Sequence, residues 1–247
     1  MTRLDVALVA RGLARSRTAA QAAIAAGTVT INQVRATRAA QPVTAADVLS
    51  AQPDPWVSRA AHKLLGALDD SGTAVGGCVL DAGASTGGFT QVCLHRGAER
   101  VYAIDVGHGQ LVPELRDDPR VVVWERTNLR DLSLDHVEGR PVELVVADVS
   151  FISLELLLPG LLAVLAAEGC ALLLVKPQFE VGRGGLDDRG VVRDPARRAE
   201  AVRRIGEAAA GHGRPAVWTG PSRLPGENGN QEFFVKLGPL RSVSHGH

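Results

Sequence analysis

The sequence predicts two units: a doubly wound α/β sheet, parallel except for an antiparallel last strand, and ahead of it a small α+β module. Three observations carry this. From about Ser58 onward, short apolar runs that end in polar residues alternate with amphipathic stretches, the pattern of parallel strands joined through helices. The final connection, Pro221–Gln231, is too short for a helical crossover, so the strand after it should return antiparallel. Residues 1–52 hold instead two short helical stretches stopped by glycine and two short strand-like runs. The boundaries read as a module at 1–52, a linker at 53–57, the sheet domain at 58–240 and a tail at 241–247.

Residues 3–11 place Leu4, Ala7 and Leu8 on one helical face, and Gly12 stops that helix. Ser16 is a good N-cap for a second helix, Arg17–Ala26, stopped by Gly27. Thr28–Gln33 follows as a strand and turn, and Asp47–Ser50 as a second short strand. In the linker, Pro53 and Pro55 forbid helix and restrict their neighbours to extended backbone, while Trp56 is large enough to be expected against a domain surface. A capped amphipathic helix begins at Ser58. Strands are then expected at 78–82, 100–105, 121–124, 142–148 and 169–175, with helices from about Gly88, over 154–167 and over 195–210. Strands at 216–220 and 232–237 close the domain.

The chain of 247 residues is electrically neutral, but unevenly so. Residues 1–52 carry six arginines against Asp5 and Asp47, a net +4, leaving 21 basic and 25 acidic side chains, −4, for the rest. A basic module thus precedes a mildly acidic body. Cys78, Cys93 and Cys170 show no CxxC spacing and read as core thiols of a reducing cytoplasm. The N-terminus lacks the apolar core of a signal peptide, and the longest apolar run, Leu156–Ala167, is short and broken by Pro159 and Gly160, so no membrane insertion is expected.

The densest chemical signal is Cys78–Thr90, an apolar strand that ends in Asp81 and breaks into Gly83, Gly87 and Gly88 before a helix. Glycines there allow a ligand close to the backbone, and the helix N-terminus behind them favours a carboxylate or phosphate. The spacing is not the Gly-x-Gly-x-x-Gly of dinucleotide sites; it is the D-x-G-x-x-x-G-G pattern of S-adenosylmethionine sites. Asp81, Gly83, Ser85, Thr86, Gly87, Gly88 and Phe89 are therefore candidate cofactor residues. Asp105, closing the next strand, is placed to accept both ribose hydroxyls of an adenosine, and Asn128 is a candidate for the adenine edge, with a backbone-bonded loop asparagine as the alternative.

Only Lys63, Lys176 and Lys236 are lysines among 27 basic residues, so each asks for a reason. Lys176 ends an apolar strand, where a charge must be paired or removed. Asp148 closes the neighbouring strand the same way, and Lys63 and Glu232 lie before and after the sheet. If the four converge on a cofactor mouth, partial desolvation and a second lysine favour the neutral amine that a proton acceptor needs. Two unrelated surface ion pairs are the alternative.

Two resemblances sharpen this. The order R-L-D-x-x-L-x-x-x-G-L-x-x-S-R-x-x-A-x-x-x-I-x-x-G-x-V, within residues 2 to about 50, resembles the RNA-binding domain first seen in ribosomal protein S-four. That resemblance implies RNA contacts from Arg3, Arg15 and Arg17, with Arg11 and Gln21 beside them; Asn32-Gln33 departs from the usual Asn-Gly, and Thr37-Arg38 from Lys-Pro. The order Lys63, Asp148, Lys176, Glu232, within A-D-V-S-F-I-S, V-K-P-Q-F-E and G-N-Q-E-F-F, resembles the catalytic K-D-K-E tetrad of FtsJ-type ribose 2′-O-methyltransferases. Together with G-A-S-T-G-G-F-T it resembles the TlyA (hemolysin A) family over nearly the whole chain. The resemblance implies a Rossmann-like methyltransferase sheet, S-adenosylmethionine as cofactor, and cytidine ribose methylation on ribosomal RNA of both subunits as activity. One departure is Ser222-Arg223-Leu224-Pro225-Gly226, where the family tends to Ser-Pro before the glycine.

Rival chemistries meet the same residues. Amino-methylating enzymes place Asn/Asp-Pro-Pro-aromatic where this chain has Asp148-Val149-Ser150-Phe151, and carbon-5 pyrimidine methylation needs a cysteine at the mouth. A dead assembly factor would show damage in the glycine loop or the tetrad, and a membrane-lytic protein would need a spanning or strongly amphipathic exposed segment. No His/Cys cluster offers a metal site, and methyl transfer from a sulfonium requires none. The expected partner is ribosomal RNA or ribosomal subunits; the sequence leaves oligomeric state open.

Overall fold

The computed structural model describes residues 1–14, 16–52 and 54–241. It divides into two compact units, Met1–Arg59 and a second that begins at Ala60.

In the first unit, β1 (Thr2–Arg3) leads into α1 (Leu4–Ala10), followed by α2 (Arg17–Ala26), β2 (Val29–Ile31), β3 (Val34–Arg35), β4 (Pro42–Val43) and β5 (Leu49–Ala51). Ser16 caps α2 by accepting from the Ala19 N–H at 3.2 Å, and Gly27 closes it with φ 74°. Leu4, Leu8, Ala20, Ile24 and Val29 form a small buried core between the helices and the strands. Two pairings escaped the sequence reading: β1 with β4, and the β2–β3 hairpin. The hairpin turn is Asn32-Gln33, with φ 50° and 71°, so glutamine takes a conformation that glycine adopts more easily. Asn32 offsets this by exchanging side-chain bonds with Asp47 and with the Val48 N–H, both 2.8 Å.

The second unit opens with α3 (Ala60–Ser71) and β6 (Cys78–Ala82), then α4 (Gly88–His95), β7 (Arg100–Ile104), α5 (Pro113–Arg116), β8 (Val121–Trp124) and β9 (Val142–Ala147). It continues through α6 (Leu158–Ala163), β10 (Leu165–Val175), α7 (Pro177–Glu180), α8 (Pro195–Gly211), β11 (Ala216–Pro221) and β12 (Phe233–Leu237). The seven strands order as β11-β12-β10-β9-β6-β7-β8. β12 is antiparallel to both neighbours, as the short final connection requires, and the pairs among β10, β9, β6, β7 and β8 are parallel. Central strands are largely apolar because helices and loops cover both faces; Leu80, Tyr102, Val145, Leu158, Leu173 and Ile205 belong to one continuous core.

The expected helix over 154–167 is a correction. A 3-10 turn at Leu154–Leu156 and the six residues of α6 replace it, and β10 begins at Leu165 rather than 169. The reason is a buried arginine far away in sequence. Arg214 donates to the carbonyls of Leu165, Ala166, Ala167 and Gly169 at 2.7–3.2 Å, so these acceptors are satisfied without a helix and the strand carries an irregular register between Leu165 and Cys170.

Candidate active site

The carboxyl ends of the parallel strands and the start of β12 share one edge of the sheet, and strand register decides what meets there. Ala82 pairs with Ala147, so Gly83 follows beside Asp148; Val175 pairs with Phe233, so Lys176 and Glu232 lie on neighbouring strands.

Asp81 is fully buried in β6. One carboxylate oxygen accepts the Thr90 hydroxyl at 2.6 Å, while Oδ1 has no hydrogen-bond partner. Burial pushes its pKa up to about 7, the Thr90 hydrogen bond opposing and Asp148 adding to the rise. Gly83 is required by close approach: with φ 85°, a Cβ there would stand 2.6 Å from the Asp148 carbonyl oxygen. Asp105 accepts from the Ser85 N–H at 2.8 Å and the Gly107 N–H at 2.7 Å, which ties the glycine loop to the end of β7. Ser85 itself has φ 48°. Beside Asp105 a shallow cleft is lined by Ser85, Leu111, Val123, Trp124 and Glu125. Phe89 packs inside against Phe234, ring centroids 6.3 Å apart, and Thr86 and Gly88 belong to the turn and the first residue of α4. Asn128 caps the 3-10 turn Leu129–Asp131, its side chain accepting from the Arg130 N–H at 3.1 Å, which is the backbone-bonded alternative raised from sequence.

The four candidate catalytic residues form two buried or partly buried ion pairs. Lys63 of α3 reaches Glu232 at 2.6 Å, and Lys176 reaches Asp148 at 2.6 Å. Surface pairs of the kind weighed in the sequence would be exposed; Lys176 is only 9% exposed. Lys176 also donates to the Ser150 hydroxyl at 2.8 Å. The loop that departs from the family's usual residues is anchored to α3: Arg223 pairs with Asp70 at 2.6 Å, and its stem lies over Gly66. Gly226 is needed because the Glu232 carboxylate lies directly against its backbone. Helix α3 and the loop before β12 are thus joined twice, once through Lys63–Glu232 and once through Asp70–Arg223.

In the first unit, Asp5 is buried and gathers Arg3 at 3.0 Å, Arg17 at 3.3 Å and Gln21 at 2.9 Å. The Arg3 hydrogen bond is the largest cause holding its carboxyl well below the usual range, helped by Gln21 and opposed by burial. Arg3 and Arg17 remain 49% and 60% exposed, free to present further N–H groups outward. Arg11 instead donates to the carbonyls of Thr44 and Asp47, stapling α1 to the β-region. Arg15 lies outside the described residues.

Against known proteins, residues 56–239 match the FtsJ-like methyltransferase family and residues 2–49 the S4 domain. The chain is 51% identical over 240 residues to the 16S/23S rRNA (cytidine-2′-O)-methyltransferase TlyA of Mycobacterium tuberculosis, covering 95% of this chain and 89% of that one. The chain belongs to the TlyA family of FtsJ-like methyltransferases. Hemolysin A of Brachyspira hyodysenteriae is 37% identical over 94% of this chain and 98% of its own. A solved structure of a hemolysin candidate from Streptococcus thermophilus superposes with TM-score 0.74 at 35% identity, covering 97% and 89% of the two chains.

As a TlyA-family methyltransferase the protein uses S-adenosylmethionine, and its residues fit that group. A strand-end acid with an unbonded, buried oxygen lies behind a loop too tight for a Cβ, and Asp105 adjoins a cleft lined by Leu111, Val123 and Trp124. Among the described residues no helix is long and apolar enough to cross a membrane. The sequence reading missed Thr90, Ser150, Trp124 and Glu125. Thr90 and Ser150 lie inside the motifs quoted for the resemblance; nothing local marks Trp124 or Glu125, which reach the cleft only through strand order.

Proposed function

We propose that this TlyA-family protein methylates ribose 2′-oxygens of cytidines in small- and large-subunit ribosomal RNA, acting in the cytoplasm on RNA gripped through residues 1–52. The observation that carries the reading is the Lys176–Asp148 pair beside the glycine loop, since Asp148 holds Lys176 and its own carbonyl touches Gly83. S-adenosylmethionine would supply the electrophilic methyl that the ribose oxygen accepts, its sulfur keeping the electron pair of the bond to carbon. The protein's share is alignment and removal of one proton. Lys176 is the group that takes the proton of the 2′-hydroxyl. Asp148 holds Lys176 in place, and Lys63 with Glu232 fixes α3 against the loop before β12. Asp105 would accept ribose hydroxyls of the cofactor, and the backbone of Gly83–Gly88 would hold its amino-acid end. Phe151, 88% exposed with Phe179 5.2 Å away, offers an aromatic face to an unstacked base next to Lys176.

Arg3 and Arg17, held as a pair by Asp5, supply phosphate contacts. Mapping ribose methylation on 16S and 23S ribosomal RNA from cells with and without the gene tests the whole reading. Cytidine 2′-O-methylation that disappears with the gene supports it; identical methylation maps overturn it.

A further inference from the structure

We infer that Ser150 is a positioning residue for Lys176, a fifth functional side chain beside the two ion pairs; this rests on the proposal that Lys176 receives the ribose proton. The two partners of Lys176 hold it in different ways. Asp148 Oδ1 stands 2.6 Å from Nζ but receives no aligned N–H, so the contact holds the nitrogen in place without directing it. Such a contact leaves the nitrogen free to turn about the Cε–Nζ bond. The bond to Ser150 Oγ, 2.8 Å, is a hydrogen bond with satisfactory angles. It fixes where one N–H points, and so confines the lone pair of the neutral amine to the two positions that remain.

Ser150 is itself held from both sides. Register brings it near Lys176, because Leu173 pairs with Ala147 and each of the two residues lies three positions beyond that pair, just past its strand. Phe151, next in the chain, has φ 66°, a conformation rarely adopted by an aromatic residue and one that turns the chain sharply there. Two residues further on, the Ser153 hydroxyl and the Leu154 N–H both donate to Glu180, at 2.6 and 2.9 Å, and Glu180 belongs to α7, the helix that starts beside Lys176. Burial raises the Glu180 pKa, opposed by those two bonds. The segment that carries Ser150 is thus tied to the helix that follows Lys176. In the transfer, the 2′-oxygen gains the methyl, sulfur keeps the electron pair of the broken bond, and the proton passes to Nζ. The amine can take that proton only along its lone pair, whose direction Ser150 restricts.

The test compares wild type, Ser150→Ala and Ser150→Thr by single-turnover methyl transfer to ribosomal subunits from cells lacking the gene, with S-adenosylmethionine affinity measured by calorimetry. Ser150→Ala should lower the rate at saturation by about 10-fold or more, since misdirecting a reacting group costs rate rather than binding. Cofactor affinity and the subunit concentration for half-maximal rate should stay unchanged. Ser150→Thr, which keeps the hydroxyl, should recover to within about threefold of wild type. An Ala variant as fast as wild type overturns the inference, as does a Thr variant as slow as Ala. A wild-type protein that methylates no ribose in this assay overturns the parent reading and this one together.

Discussion

Asp81→Asn should make the protein more stable at neutral pH while weakening its cofactor site. Asp81 is buried, one oxygen bonded to Thr90 and the other to nothing, and its pKa is raised from an ordinary 3.8 to about 7. A carboxyl whose folded pKa exceeds its unfolded value holds its proton longer in the folded state, so stability falls as pH rises from about 4 to about 7 and then levels off. At about 1.4 kcal/mol per pH unit the full penalty is about 4 kcal/mol, more than half of which develops between about pH 5 and 8. Asparagine has no such dependence. It can still accept the Thr90 hydroxyl, but it leaves a buried amide unbonded, at ~1–3 kcal/mol. The variant should therefore gain on wild type as pH rises. With roughly 2–4 °C per kcal/mol for a domain of this size, the difference in Tm should move by about 5–10 °C in favour of Asn between pH 5 and 8. Calorimetric melting of both proteins without ligand measures this. A Tm difference independent of pH would mean that Asp81 is ionised in the folded protein throughout, and the reasoning fails. The same substitution should weaken S-adenosylmethionine binding, a trade of function for stability common at ligand sites.

Lys176→Arg should fold and bind cofactor and RNA, yet lose single-turnover methylation by about 10²-fold or more, because a guanidinium keeps its proton near neutral pH; near-normal rates from pH 6 to 9 would make Lys176 an electrostatic anchor only. Asp105→Ala should weaken S-adenosylmethionine by about 1.5–3 kcal/mol, roughly 10- to 150-fold by calorimetry, and unchanged affinity would remove it from the ribose. Arg3→Gln combined with Arg17→Gln, which keeps donors toward Asp5, should flatten the log–log salt dependence of RNA binding by roughly 1.4–1.8, about 0.7–0.9 for each phosphate no longer neutralised; an unchanged slope would leave both as solvated arginines. Arg214→Met strips the carbonyls of residues 165–169 of their donor and should lower stability by about 3 kcal/mol or more, read as a Tm drop of roughly 6 °C or more.

Legible in the sequence alone were the strand ends, the antiparallel return of the last strand and the acids and lysines that the fold brings to the carboxyl edge of the sheet. Asp81, Asp105, Asp148 and Lys176 each close an apolar run, and such runs are legible because burial on both faces demands continuous hydrophobicity. The glycine spacing is equally legible, because a close backbone approach allows few other residues. What only the tertiary structure decided is pairing between residues distant in the chain. That Lys63 belongs to Glu232 and Lys176 to Asp148 and Ser150 follows from strand register, which a linear pattern does not contain. Periodicity over 154–167 suggested one helix because apolar spacing there fits it, but Arg214, about fifty residues later, supplies donors to those carbonyls and draws the chain into a strand. In the N-terminal unit the arginine pattern marked a basic module, yet the way Asp5 sorts Arg3, Arg17 and Gln21 into one cluster while Arg11 turns to Thr44 and Asp47 depends on how two helices and a sheet edge pack. Composition and spacing report which environments each residue can tolerate; which partner it meets there is settled by the folded backbone.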